Sequence, residues 1–344
     1  MSRVEELIGI CEQDLVESTD RHKFISDEDC GEDNLCFINF YGETVPIGDF
    51  GVFSVNELRD FMDKVSIPTK TTHCKFKVMK YVDIGELQGK LKTEDKAMVQ
   101  VASNFNCLEV GGTNCWPDQG YLVDLIHEDR TQGPAACFGP LAATLYRAHF
   151  IFQEYNEGQL EYSGQTRYKQ INLLKDVEEY FGVPVNGKIQ LEGKEAFIND
   201  IDSVSGDIKV GLHTDVLILY GRENGKSFKL QQPYQSIDQI FSASINLSQY
   251  HAQTSRERLT AIIKSCLRAA YEGAYLSAIE RKRKILYLTL IGGGVFKNPI
   301  AFILDEIANA HRKYSNHRKS RLEQVVLCLY DNCDLIEKEM LKRI

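Results

Sequence analysis

Apolar residues recur along the chain at two periods, and their alternation outlines a protein of strands and helices. The clearest stretch is 284–310. Ile285, Leu286, Tyr287, Leu288, Thr289, Leu290 and Ile291 form a β-rich run of the kind buried on both faces of a sheet. Gly292, Gly293 and Gly294 interrupt it, followed by Val295 and Phe296. Beyond Asn298-Pro299, the residues Ile300, Ile303, Leu304, Ile307 and Ala308 fall at helical spacing. Asn298 suits an N-cap and Pro299 the first helical turn, where no backbone N–H is needed. The pattern therefore predicts strand, glycine loop, helix. Main-chain N–H groups at such a loop, together with a helix N-terminus, form an anion site that bare glycines let a phosphate approach. A tight strand-to-helix turn leaves the same signature. No Gly-Lys-Ser/Thr follows the glycines and they are not spaced as GxGxxG, which sets aside the Walker and dinucleotide loops.

Elsewhere the periodicity predicts a short helix over 3–15, a strand over 36–41 and a helix over 55–65. Ser54 and Glu57 form a capping box for that last helix. Residues 27–34 are acidic and read as a surface loop. Strands follow over 75–83 and 98–102, with a short helix opening at Ile84-Gly85-Glu86-Leu87 between them. Helices are expected over 141–152 and 171–181. The block 188–230 switches to short strands and glycine turns, with 216–220 and 240–245 the best strand segments. A long helix (255–281), a buried strand (324–330) and a closing helix (333–344) complete the chain. This rhythm argues for a three-layer α/β/α domain with insertions.

Composition narrows the class. The 344 residues are 43% hydrophobic and 26% charged, ordinary for a globular protein, and the formal net charge is −9. That charge argues against nonspecific binding to nucleic acid or an anionic membrane. No apolar run approaches ~20 residues, so no transmembrane helix is expected. The N-terminus lacks a signal-peptide core, and the ten cysteines include no CxxC pair. These features predict reduced thiols, a cytoplasmic location, no metal site and no cofactor.

Two stretches, read together, resemble the macrodomain family of ADP-ribose-binding proteins. KFKVMKYVDIGELQGKL (75–91) with AMVQVASNFNCLE (97–109) is similar to the family's opening, where one strand ends in Asp-Ile and the next in an asparagine-bearing loop. AAYEGAYLSAIERKRKILYLTLIGGGVFKNPIAFILDEIANA (269–310) resembles its helix, strand, glycine loop and helix. Within the superfamily the chain looks closest to branches resembling poly(ADP-ribose) glycohydrolases and a related bacterial-effector group. The resemblance implies a macrodomain-like α/β/α fold with a mixed sheet over 71–344. It also implies an N-terminal α/β extension over 1–70 and a hairpin insertion at about 153–235.

By the same resemblance, Asp83 accepts from an adenine amino group and the backbone N–H of Ile84 donates beside it. Asn104 or Asn106 matches the ribose asparagine. Gly292, Gly293, Gly294, Val295 and Phe296 match the diphosphate loop, with Asn298 at its end. Two features depart from the pattern. Gly111-Gly112 is the nearest equivalent of the family's second glycine loop, and the Gln-Glu-Glu signature of the glycohydrolases is absent.

Catalysis then needs another carboxylate, one that positions water at an oxocarbenium-like centre. Asp129 is the first choice, with Thr131 and Gln132 placed to orient it; Glu109 and Asp124 follow. Arg147 suits a structural ion pair or a phosphate contact. Two functions remain open. One is an ADP-ribosyl hydrolase acting on a modified macromolecule; the other is a non-catalytic module binding ADP-ribose or a related nucleotide. Either has ADP-ribose or an ADP-ribosylated protein as its partner.

Overall fold

The computed structural model describes residues 3–18, 24–26, 36–38, 44–64, 73–109, 115–120, 131–156, 159–224, 227–249 and 255–344. A seven-stranded sheet organises them. Its strands in chain order are β1 (Asp49–Ser54), β2 (Lys75–Met79), β3 (Ala97–Ala102), β4 (Lys209–Glu223), β5 (Ser227–Ser242), β6 (Ile285–Leu288) and β7 (Gln324–Cys328). Across the sheet the order is β1-β4-β5-β3-β6-β7-β2. The five strands from β5 to β2 pair in parallel, whereas β4 is antiparallel to both β5 and β1. The expected mixed sheet is therefore observed. β1 comes from the first 70 residues, and the long β4–β5 hairpin joins it to β3.

Helices cover both faces. On one, α1 (Val55–Lys64), α5 (Ile201–Asp207) and α7 (Ile300–Tyr314) pack around the long α6 (Arg256–Glu280). On the other lie α2 (Ile84–Lys90), α3 (Gln132–Phe138) and α4 (Leu141–His149). Helix α8 (Cys333–Leu341) closes the chain beside α7. Met98, Val99, Leu286, Leu288, Val325 and Leu327 are fully buried, which explains why the central strands read as continuous apolar runs.

A bulge inside the β4–β5 hairpin reverses which side chains face which layer. The register shifts between Ile237 and Gln239, where Asp215 adopts a left-handed φ of 53°. Before it, Val210 packs under Gly273 of α6; after it, Ile218 faces Gly139 between α3 and α4. The bulge is pinned by the buried Asp238, which accepts from the Asp215 N–H at 2.9 Å and from Arg283 at 2.7 Å.

The capping box of α1 forms, with the Glu57 N–H donating to Ser54 Oγ at 3.1 Å and the Ser54 N–H donating to Glu57 Oε2 at 2.6 Å. Other boundaries differ. The helix expected over 3–15 is two short helices, Arg3–Ile8 and Glu12–Glu17, broken at Gly9 with φ 83°. No continuous helix spans 171–181, and only Glu178–Phe181 is α-helical. There the Asn172 carboxamide accepts the Leu174 N–H at 2.9 Å, a local bond that competes with helix formation. The segment from Lys188 is no strand, because Val185 and Lys188 close a tight turn. The expected loop over 27–34 lies outside the described residues. Among the described residues eight cysteines form no disulfide, and Cys36 is disulfide-bonded. Among the described residues no helix is long and apolar enough to cross a membrane.

Candidate functional site

Because β5, β3, β6 and β7 are parallel, their carboxyl ends share one edge of the sheet, where ligands bind in open α/β folds. A cleft of about 820 Å³ opens there. Its floor is Ala102-Ser103 after β3, Ala243-Ser244 after β5 and Thr289–Ile291 after β6. Its walls are the starts of α2, α3 and α7, one face of α8, and the glycine loop.

The loop is built by specific bonds. Gly292 takes φ 70°, and a Cβ there would meet Asn298 Nδ2 at 2.5 Å. Asn298 is 3% exposed. It donates to the carbonyls of Ile245 (2.8 Å) and Gly292 (3.1 Å) and accepts from Ser244 Oγ (2.9 Å). It is therefore a brace of the loop and does not face the cleft, and Pro299, not Asn298, is the N-cap of α7. Beneath, the buried Tyr271 hydroxyl donates to the Thr289 carbonyl at 2.9 Å and accepts the Ile291 N–H at 3.0 Å. Those bonds end β6 at Leu288, short of the run to Ile291 that apolarity predicts.

The Gly293 N–H donates to the Leu290 carbonyl and the Lys297 N–H to that of Gly294, while those of Gly294, Val295 and Phe296 reach no protein acceptor among the described residues. Three main-chain donors and the N-terminus of the 15-residue α7 thus meet at the cleft. Among the described lining residues the one arginine is Arg343, which is paired with Asp305 and Glu339. An anion in this cleft would be met by peptide dipoles more than by side-chain cations.

At the other end stands Glu109. Its carboxylate fills the space a side chain at Gly133 would need: a Cβ there would lie 2.3 Å from Glu109 Oε1. Thr131 and Gln132 line the same end. Gln132 Oε1 accepts the Ile84 N–H at 2.7 Å, so the backbone donor expected to meet adenine is occupied by a neighbouring side chain. Asp83 is likewise engaged. It caps α2 by accepting the Glu86 N–H at 3.0 Å, and its other oxygen pairs with Arg222 at 3.3 Å.

The asparagines belong to the scaffold of the cleft. Asn106 Oδ1 accepts the Leu108 N–H at 3.2 Å and its Nδ2 donates to Gln170 at 3.3 Å. Asn104 is 3% exposed and its Nδ2 has no partner among the described residues. Neither lines the cleft. The turn that carries them is fastened by Arg147, which is fully buried and matches neither expected role. Its guanidinium donates to the Cys107 carbonyl (3.3 Å), the Ala143 carbonyl (3.2 Å) and His213 Nδ1 (2.9 Å), and stacks 4.1 Å from the Phe241 ring. Burial, and then the Arg147 charge, hold His213 well below its ordinary pKa, so it accepts as a neutral imidazole. Asp124 and Asp129 lie outside the described residues.

Sequence reasoning passed over Tyr330, which is 58% exposed and lines the cleft after β7. Its signal was its position as the last residue of QVVLCLY, at the carboxyl end of a buried parallel strand.

The fold is similar to that of solved poly(ADP-ribose) glycohydrolases. One, from Thermomonospora curvata, shares 13% identity at a TM-score of 0.46 over 90% of this chain and 93% of that one. Another, from Deinococcus radiodurans in complex with ADP-ribose, shares 14% identity at a TM-score of 0.47 over 85% of this chain and 94% of that one. No protein-family profile and no curated protein sequence matches the chain.

Proposed function

We propose that this protein is an ADP-ribosyl hydrolase that releases ADP-ribose from a modified macromolecule, with Glu109 as the carboxylate that directs water. One observation carries the reading: the unspent N–H groups of Gly294, Val295 and Phe296 and the Glu109 carboxylate line a single cleft. The first suit a diphosphate and the second suits a reacting ribose, two demands that ADP-ribose joins in one molecule. In the reaction the water oxygen bonds to the ribose carbon as the bond to the carrier breaks. The carrier oxygen leaves with the electron pair, and Glu109 receives a proton from the water.

Calorimetric titration with ADP-ribose, followed by an assay for free ADP-ribose released from an automodified protein, tests the reading. Glu109→Gln is expected to lower turnover by about 10²–10⁴-fold, the usual cost of losing a general base, with ADP-ribose affinity retained. Asp124→Asn and Asp129→Asn serve as comparison variants. If one of those abolishes turnover and Glu109→Gln does not, the carboxylate is reassigned. Tight binding without release makes the protein a non-catalytic reader of ADP-ribose.

A further inference from the structure

Apolarity alone would carry β6 on to Ile291, and neighbours for it exist, since β3 runs to Ala102 and β7 to Cys328. Pairing nevertheless stops at Val99 on one side and at Leu327 on the other. Two buried side chains take over where the ladder ends. Gln100 Oε1 accepts the Thr289 N–H at 3.2 Å, and Gln100 is itself anchored to α6 through Nε2, which donates to the Ala270 carbonyl at 3.1 Å. The hydroxyl of Tyr271, the next residue of α6, donates to the Thr289 carbonyl at 2.9 Å and accepts the Ile291 N–H at 3.0 Å. The same N–H reaches the Thr289 carbonyl at 3.1 Å, so the hydroxyl clips a three-residue turn. Tyr271, Gln100 and Ile291 are all fully buried, where a released polar group is costly. Burial pushes the Tyr271 pKa up, so the phenol keeps its proton and remains a donor. The helix that carries it is seated closely on the sheet: a Cβ on Gly273 would lie 2.9 Å from the Val210 side chain. The chain therefore turns out of the sheet at Thr289, and Gly292 follows with its φ of 70°.

We propose that Tyr271 is a positioning residue for diphosphate binding: it stops β6 at Leu288 and so aims the N–H groups of Gly294, Val295 and Phe296 into the cleft. Gln100 is its counterpart on β3. Tyr271 does not line the cleft and acts only through the backbone of the loop. Without the clip, the apolar segment Thr289–Ile291 gains by pairing onward along β3, which draws the glycine loop back. This rests on the ADP-ribosyl hydrolase reading, and its test has a readout that needs no turnover.

Tyr271→Phe keeps the ring and removes the clip. Calorimetric titration of the full-length variant with ADP-ribose reads Kd and stoichiometry separately. The Kd is expected to rise about tenfold while the stoichiometry stays at the parent value. In the release assay KM rises by the same factor and kcat holds, because the loop grips the diphosphate alike before and during the reaction. A tyrosine that serves only stability gives the opposite pattern, a lower stoichiometry and kcat with Kd and KM unchanged, and that result overturns the proposal. If Tyr271→Phe does not fold, Gln100→Met removes the Thr289 acceptor at similar volume and carries the same expectation and the same overturning result. Where the parent binds ADP-ribose but releases none, the Kd shift still upholds the clip and the hydrolase reading fails. A parent that binds no ADP-ribose overturns both.

Discussion

Glu109 and Gly133 compete for one volume. Methyl-sized growth at Gly133 meets Glu109 Oε1 at 2.3 Å and the Ala102 carbonyl at 2.7 Å. The carboxylate is the part that can move, whereas the backbone oxygen cannot. Gly133→Ala is therefore expected to displace Glu109 and reduce ADP-ribose release to near the Glu109→Gln level. The remaining contact with the Ala102 carbonyl should also lower the Tm, read by thermal unfolding. Equal turnover in Gly133→Ala and the parent would contradict this placement. The three glycines of the loop, alike in sequence, also separate at this scale. Gly292 needs its positive φ, and a Cβ on Gly293 would lie 3.1–3.2 Å from Leu290, Ile300 and Ile303, while one on Gly294 meets nothing within 4 Å. Gly293→Val should thus cost stability, measured by thermal unfolding, whereas Gly294→Val should keep the parent Tm and weaken ADP-ribose binding. Equal affinity in Gly294→Val would move the diphosphate away from this loop.

Among the elements, α1, α6 and α7 are joined by one buried acid. Glu272 of α6 is 4% exposed and accepts from Arg59 Nη2 of α1 at 2.7 Å, Lys313 of α7 at 2.7 Å, and the Tyr314 hydroxyl. Burial pushes its carboxyl up, but these donors outweigh that and hold it below the usual carboxylate value. A depressed folded-state pKa stabilises above the unfolded value and is lost as pH falls through the folded one. Glu272→Gln should accordingly cost about 2 kcal/mol at pH 7, less than the ~3–5 of a fully buried pair because Lys313 keeps contact with water. The gap between parent and variant, read from urea unfolding, should shrink as pH drops below 4.5. A gap independent of pH would show that shape, not charge, makes the contact.

For the whole molecule, burial sorts the thiols. It pushes Cys107, Cys137 and Cys328 up to about 12, while Cys11 and Cys115 are partly exposed. Thiolate is the reactive form. Native alkylation followed by mass spectrometry should therefore modify Cys11 and Cys115 first, and the three buried thiols only after denaturation. Rapid native labelling of Cys107 or Cys137 would mean that the layer beneath the cleft opens readily.

The central parallel strands, the long helix between 255 and 281, the α1 capping box and the glycine loop were legible along the chain. Each is written in residues a few positions apart, where periodicity and local hydrogen bonding act. What the loop's donors face, and which side chains are already spent, was not legible. Those outcomes depend on partners distant in sequence: Arg222 on Asp83, Gln132 on the Ile84 N–H, Ser244 on Asn298. The left-handed Asp215 bulge has the same character, since it is pinned by Asp238 and Arg283 from other strands and loops. Local pattern determined which elements form. Desolvation decided the site, because every polar group buried at the sheet edge had to find a partner, and only packing says which groups were left to meet a ligand.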